Sequence, residues 1–395
     1  MAVKNFYSMR DKGACMRQEE AYKEAAACAR EGMVGSALFA FNSNVDVVLR
    51  TDERGALALA HRLGLPVLSE CARKGEGAEE VVSTGKMALL LKEKYDERRI
   101  GGQAGNMANL AASLGLRSYI HSSVVCRDLT QYLHPGVMVS SPFCFQPAES
   151  IMSNGEVPLH FVVDFGKDRY IAVNDMYNTH MLINRNFKRC MEREVRAVER
   201  AVVSGFHLLD IPEPRGRVEE VKVLVKRWKG MNRRLGVHLE LAHYRRQDVL
   251  RAVLEILAPS CDSMGFNELE AQQASDALGM KWKGEGEFMN EMQGTCRSVV
   301  LHTKRYAVMA GEGADAGEAR LALGHLLAAF RARRGREPGP KELEGLEARP
   351  VALPNGVERR FGKGFCLVPA LSAGNGPNAL GLGDSFSVGY FCAKG

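Results

Sequence analysis

The sequence predicts an α/β protein with a mostly parallel central sheet covered by helices on both faces, plus a smaller β-rich unit inserted in two passes. Three observations lead there. Apolar runs of strand length recur, each followed by a helix-like or glycine-marked segment. Two stretches, residues 50–100 and 143–178, break that rhythm. The composition, with 395 residues, 46% hydrophobic and 25% charged, excludes a disordered tail, a collagen repeat or a coiled coil, and allows two or three domains or one large domain with an insertion.

In chain order, residues 14–31 combine Ala, Glu, Arg and Lys with apolar residues at helical spacing, so a helix precedes the first strand. That strand covers 37–41 and ends in Asn42-Ser43-Asn44-Val45-Asp46, polar groups at a strand's carboxyl end, where open α/β sheets place their ligands. Residues 50–100 form the first pass of the smaller unit. Strands of the large sheet are expected at 118–125, 201–206, 235–241, 263–265 and 298–302. Strand-like pieces at 159–165 and 170–173 make up the second pass. The large unit therefore comprises 1–49, 101–142 and 179–395, and the smaller one, a lid, 50–100 and 143–178. Residues 331–360 start basic and rich in Pro and Gly; acidic residues follow, so they read as an exposed helix end plus loop rather than a nucleic-acid arm.

Charge names no partner. The 53 basic and 47 acidic residues leave +6, too dilute for a polybasic nucleic-acid or membrane-binding surface. The ten cysteines are scattered, with no CxxC pair and no zinc-ligand spacing, and read as reduced packing thiols. The N-terminal segment is charged and lacks an apolar core, and no run of 18 apolar residues occurs, so a soluble cytoplasmic protein is expected.

Four local patterns bear chemistry. Gly381-Leu382-Gly383-Asp384-Ser385 precedes an apolar, helix-compatible segment. Two glycines let backbone N–H groups converge on an anion, and the helix N-terminus adds a positive dipole end. A plain N-cap is the other common role for an aspartate there. Gly101-Gly102-Gln103-Ala104-Gly105-Asn106 opens an amphipathic helix; Gln103 and Asn106 can bond sugar hydroxyls through donor and acceptor atoms, or the cluster is a turn that packs tightly. It is not a dinucleotide fingerprint, because the glycine spacing is wrong and no strand is expected to lead directly into it. In His238-Leu239-Glu240, alternation at a strand end points His238 and Glu240 to one side. In Asn267-Glu268-Leu269-Glu270, Asn267 and Glu270 share a helix face; the pair suits Mg²⁺, or a capping box.

Taken in chain order, the polar strand end FNSNVD (residues 41–46), GGQAG, HxE, NxxE and then GLGD, together with VVSGFHLL (202–209) and LHT (301–303), resemble the ADP-dependent sugar kinases, glucokinase and phosphofructokinase, of the ribokinase superfamily. HxE beside NxxE is what points to the ADP-dependent branch. The resemblance implies a ribokinase-like three-layer fold with a lid. It implies Asp384 as general base, worth about 10²- to 10⁴-fold, and the amides of Gly381, Leu382, Gly383 and Asp384 as an anion hole. Glu240 and Glu270 would hold Mg²⁺, partly through water. Asn44, Asp46, Gly102, Gln103 and His160 fall at sugar-contacting positions. Arg169 would reach the phosphates of ADP, the phosphoryl donor, as the lid closes; Asn267 and His302 would also face the nucleotide, with the loop 369–380 completing the base pocket. The partners implied are small-molecule sugar and nucleotide, for a monomer or small homo-oligomer.

Family glucokinases carry a lid glutamate against the sugar after a short glycine-containing segment; here Glu79, or Glu80, follows residues 74–78. Family phosphofructokinases place cations where this chain has Pro158 and Asp175, and a sugar phosphate beside Asp175 would be repelled unless Lys167 or Arg185 compensated. An ADP-dependent glucokinase is therefore expected. The alternatives are a phosphofructokinase, a bifunctional kinase, an ATP-dependent relative, or a silent sugar- or nucleotide-binding regulator. The turn between Phe165 and Arg169 is shorter than usual in the family, and the family usually continues past Gly395, so a longer natural chain is expected.

Overall fold

The computed structural model describes residues 20–29, 32–344, 346–347, 349–361, 364–372 and 381–394. The outer parts of the helix expected at 14–31, and residues 373–380 of the expected base-pocket loop, lie outside these. Residues 20–29 are helical.

Among the described residues, fifteen strands form two sheets. In chain order they are β1 Ser36–Ala40, β2 Asn44–Arg50, β3 Ala78–Val81, β4 Glu97–Gly101, β5 Arg117–Ile120, β6 Val137–Ser140, β7 Phe145–Pro147, β8 Leu159–Asp164, β9 Arg169–Val173, β10 Arg200–Val203, β11 Gly236–Glu240, β12 Ser263–Phe266, β13 Ser298–His302, β14 Tyr306–Gly311 and β15 Phe365–Pro369. The large sheet runs β15-β14-β13-β12-β11-β10-β1-β5-β6-β7. It is parallel from β13 to β6, with antiparallel edges at β14, β15 and β7. The small sheet runs β3-β9-β8-β2-β4.

Strand alternation generates the layers. In β1, Ala37 and Phe39 point into a core shared with helices Gln103–Ser113, Glu318–Arg334 and Leu382–Cys392. Leu38 and Ala40 point into the opposite core, with helices Arg185–Glu194, Pro214–Met231 and Gln247–Ala252. In the small sheet, Val47, Phe161, Val163 and Tyr170 pack on helices Glu53–Leu63, Pro66–Lys74 and Thr84–Leu90. The smaller unit is thus a sheet backed by helices on one face, its other face turned to the cavity described below.

The boundaries differ from expectation at several points. Asn44–Arg50 belongs to the small sheet, pairing with β4 and β8, so the polar run after β1 is a crossover between sheets rather than a loop. Phe145–Pro147 pairs with β6 at the edge of the large sheet. Strand β4 leads directly into the helix at Gln103, although no strand was expected there: its Glu-Arg-Arg sequence hides an edge strand with one solvated face. The strand expected over 201–206 stops at Val203, because Gly205 turns the chain with φ 85°.

Candidate active site

The carboxyl ends of β1, β10, β11, β12 and β13 and the open face of the small sheet enclose one cavity of about 390 Å³. Among the predicted residues, Asp46, Glu79, Gly102, Gln103, His160, Arg169, Glu240, Asn267, Glu270, His302, Gly381, Leu382, Gly383 and Asp384 line it.

Helix Leu382–Cys392 starts at Gly381, whose φ of 69° needs glycine, and no side chain caps it. Asp384 is therefore not an N-cap. It sits in the first turn, and its Oδ2 accepts a hydrogen bond from Asn106 Nδ2 at 2.9 Å. Burial pushes its carboxyl up to about 6, against the opposing charges of Arg331 and Arg169, and the Glu240 carboxylate adds to the rise. A carboxylate poised there can take a proton near neutral pH.

Glu240, at the end of β11, is buried, with Oε2 accepting from His238 Nε2 at 2.8 Å and Oε1 from His302 Nε2 at 2.9 Å. Burial would raise its carboxyl, but the charge of His302 and these hydrogen bonds outweigh it and hold it at about 2. Glu270 closes a capping box with Asn267: its Oε2 accepts from Asn267 N at 2.9 Å and its Oε1 from Asn267 Nδ2 at 2.8 Å. Burial, helped by Glu240, pushes its carboxyl up to about 7. The capping box and the cavity wall are thus the same residues. Because every oxygen of the two carboxylates already accepts a hydrogen bond, the pair fits a Mg²⁺ ion that keeps most of its own waters. Among the described residues no cluster of three or more His, Cys, Asp or Glu forms a closed metal cage.

On the lid wall, Glu79 Oε2 lies 3.1 Å from His207 Nε2 across the cavity. Burial opposes its ionisation, but His207 outweighs it and holds the carboxyl below its usual range. Glu80 points the other way and accepts from the Tyr170 hydroxyl at 2.6 Å. Two predicted sugar contacts stand behind the wall instead. Asn44 is fully buried and donates to Asp46 Oδ1 at 2.7 Å; Asp175 is buried, 2.9 Å from His160 Nε2, and caps a short helix. Gln103 uses its amide on backbone, donating to Leu241 O at 3.0 Å and accepting from Gly205 N at 3.1 Å. Gly102 has φ 76°, and a Cβ there would stand 2.5 Å from Asn42 O. Lys167 pairs with Glu53 at the surface, and neither it nor Arg185 reaches the cavity.

Asn42, from the polar run at the end of β1, also lines the wall, whereas sequence reasoning missed Arg99, His207 and His243 there. Asn42 Oδ1, Arg99 Nε and His207 Nδ1 are buried without a hydrogen-bond partner among the described residues, as expected of groups that meet a polar ligand. It also missed Arg331, expected at an exposed helix end and instead buried beside Asn106. Arg331 follows Leu323 and Leu327 at four-residue steps on the buried face of its helix, and that spacing was the available signal.

A conserved region described as ADP-specific phosphofructokinase/glucokinase matches residues 65–308. The ADP-dependent glucose/glucosamine kinase of Pyrococcus furiosus is 27% identical over 237 residues, 53% of this chain and 50% of that protein. The ADP-specific phosphofructokinase of Methanosarcina acetivorans is 24% identical over 262 residues, 56% of this chain and 53% of that protein. The chain thus spans about half the length of the curated relatives it matches first. A solved ADP-dependent kinase in complex with fructose 6-phosphate and ADPβS superposes with a TM-score of 0.77 at 17% identity, covering 95% of this chain and 96% of that one, a likeness of fold. Among the described residues no helix is long and apolar enough to cross a membrane.

Proposed function

The chain belongs to the ADP-specific phosphofructokinase/glucokinase family, and from that premise we propose that it is an ADP-dependent glucokinase, transferring the β-phosphoryl group of ADP to the 6-hydroxyl of glucose and releasing AMP. The observation that supports glucose is the lid glutamate. Glu79 faces the cavity while Glu80 is engaged with Tyr170, and a carboxylate there accepts hydrogen bonds from neutral sugar hydroxyls but repels a sugar phosphate.

In this reading Asp46 and His160, with Glu79, orient the hexose from the lid side, and Asn44 and Asp175 hold them in place. Asp384 takes the proton from the 6-hydroxyl as its oxygen bonds the β-phosphorus. The bond from that phosphorus to the bridging oxygen breaks, and AMP leaves. The amides of Gly381 to Asp384, at a helix N-terminus, offset the charge of the transferring group, and Arg169 reaches the phosphates from the lid. Asn267 and His302 line the nucleotide side. A magnesium ion at Glu240 and Glu270 would neutralise diphosphate charge when bound. The lid excludes water, which strengthens each of these electrostatic contacts.

Fructose 6-phosphate is the second reading, supported by Arg99, a cavity cation whose Nε makes no hydrogen bond among the described residues, with Asp46 Oδ2 3.9 Å away as its ion-pair partner. AMP formation, measured with ADP and ATP against glucose and fructose 6-phosphate, separates the two. Turnover of glucose with ADP is expected. Turnover of fructose 6-phosphate alone transfers the assignment to phosphofructokinase, and turnover with ATP but not ADP removes both. Glucose binding without any AMP would leave a silent regulator.

A further inference from the structure

Asp384 is the end of a chain of polar contacts. Asn106 Nδ2 donates to it at 2.9 Å, and Arg331 Nη2 donates to Asn106 Oδ1 at 3.2 Å. Arg331 Nη1 donates in turn to Glu337 Oε1 at 3.0 Å. The guanidinium is 7% exposed. It also lies along the turn at Gly381, where a Cβ would stand 3.0 Å from its Cζ and 3.1 Å from its Nε. Helices Glu318–Arg334 and Leu382–Cys392 approach closely enough to allow this, because they cross at glycines: a Cβ on Gly389 would stand 2.7 Å from Gly324 N.

The chemistry of the amide gives this chain a direction. A carboxamide has one end that accepts and one that donates, and rotated by half a turn Asn106 would set its oxygen against the Asp384 carboxylate. Arginine has donors only, so an arginine at Asn106 fixes the oxygen toward itself and the NH₂ toward Asp384. We infer that Arg331 is a positioning residue for phosphoryl transfer: it holds the Asn106 carboxamide in the orientation that donates to Asp384, and braces the glycine turn beside it. The inference rests on the reading of Asp384 as base. The other groups facing Asp384 are Arg169 from β9 and Glu240 from β11, with His302 of β13 near Gly383.

The test uses Arg331→Met and Arg331→Lys in the full chain. Arg331→Met should lose about tenfold or more in kcat with KM for the sugar within about threefold, and the acid limb of kcat/KM should move to higher pH. Arg331→Lys keeps a donor and should recover part of the loss. A kcat within about twofold of the wild type, or a loss with the acid limb unmoved, overturns the inference. If Arg331→Met does not fold, Arg331→Lys, which keeps the charge but not the fork that fixes the Asn106 carboxamide, must move the limb in the same direction by a smaller amount, and an unmoved limb refutes the role. A readout free of turnover keeps this separate from the proposed function: the Asp384 carboxyl carbon, identified by comparison with Asp384→Asn, is titrated by ¹³C NMR in the ligand-free protein. Its midpoint should rise in Arg331→Met and, by less, in Arg331→Lys, and an unchanged midpoint in both overturns the inference even in a protein that makes no AMP.

Discussion

Asp384→Asn should cripple phosphoryl transfer and stabilise the fold, and the stabilisation should depend on pH. The carboxyl is pushed up to about 6 in the folded protein from an ordinary value of 3.8. Between those values the folded state binds more protons than the unfolded one, so wild-type stability falls as pH rises through this window and stays lower above it. Two pH units at about 1.4 kcal/mol each give a deficit of about 3 kcal/mol by pH 7, an upper bound because water reaches the partly exposed side chain. The asparagine variant carries no charge at any pH and escapes this deficit. Chemical denaturation of both proteins at pH 4, 5.5 and 7 reads the difference. The variant's advantage should be near zero at pH 4 and grow to between about 1 and 3 kcal/mol at pH 7, while AMP formation falls by about 10²-fold or more. An advantage that is constant with pH, or largest at pH 4, would refute an Asp384 whose ionisation the cavity wall disfavours. Near-normal turnover would refute its role as base.

In wild-type protein, kcat/KM should fall as pH drops below about 6, reaching about a tenth of its plateau near pH 5, since the acid limb reports the free base; a profile flat to pH 5 contradicts this. Glu79→Gln should lower kcat/KM for glucose by about ten- to a hundredfold, the worth of a hydrogen bond to a charged group, and harm any fructose 6-phosphate turnover less; equal losses remove Glu79 from specificity. Because the Glu270 carboxyl is pushed up to about 7, Mg²⁺ addition at pH 7 should release roughly half a proton, read as a buffer-dependent heat in calorimetry, and Glu270→Gln should abolish that release. Gly102→Ala, with φ 76° and Asn42 O in the way, should destabilise by about 2–3 kcal/mol on denaturation, and wild-type stability would show that the turn relaxes.

The large sheet was legible because its central strands are buried on both faces and write themselves as apolar runs, such as Ala37 to Phe41. Strand β4 was not, since Glu97, Arg98 and Arg99 at an edge carry no such run. Alternation at HxE and the capping pattern at NxxE were readable one element at a time, and both survive in the structure. What local pattern does not contain is which sheet a strand joins: Asn44 to Arg50 follows β1 after a short turn, yet crosses to the small sheet. For the same reason Arg99 and His207 escaped notice. Each faces the cavity only because two sheets meet there, and Glu79 could be told from Glu80 only once its strand had a register against β9.

Three of the carboxylates that line this cavity, Glu240, Glu270 and Asp384, differ in acidity, and their separation follows from their neighbours rather than from depth. Glu240 is the most buried of them, yet it is held at about 2 because two histidines donate to it. Glu270 faces asparagine donors and is pushed up to about 7, while Asp384, with one asparagine and the charges of Arg331 and Arg169 nearby, is pushed up to about 6. Groups whose environments drive their acidities apart take different tasks. A carboxylate ionised at every physiological pH is a fixed charge, suited to a cation and unsuited to moving protons. One near 6 is ionised for most of its life at pH 7 but binds a proton strongly enough to accept one from an alcohol whose oxygen is bonding phosphorus. One near 7 is half neutral until a cation arrives, so Glu270 makes the cation-bound state, not the empty cavity, the one in which its charge is complete. In the proposed reaction that couples charging of the site to arrival of the magnesium-bound donor, and leaves Asp384 as the only one of the three whose acidity suits it to receive the hydroxyl proton.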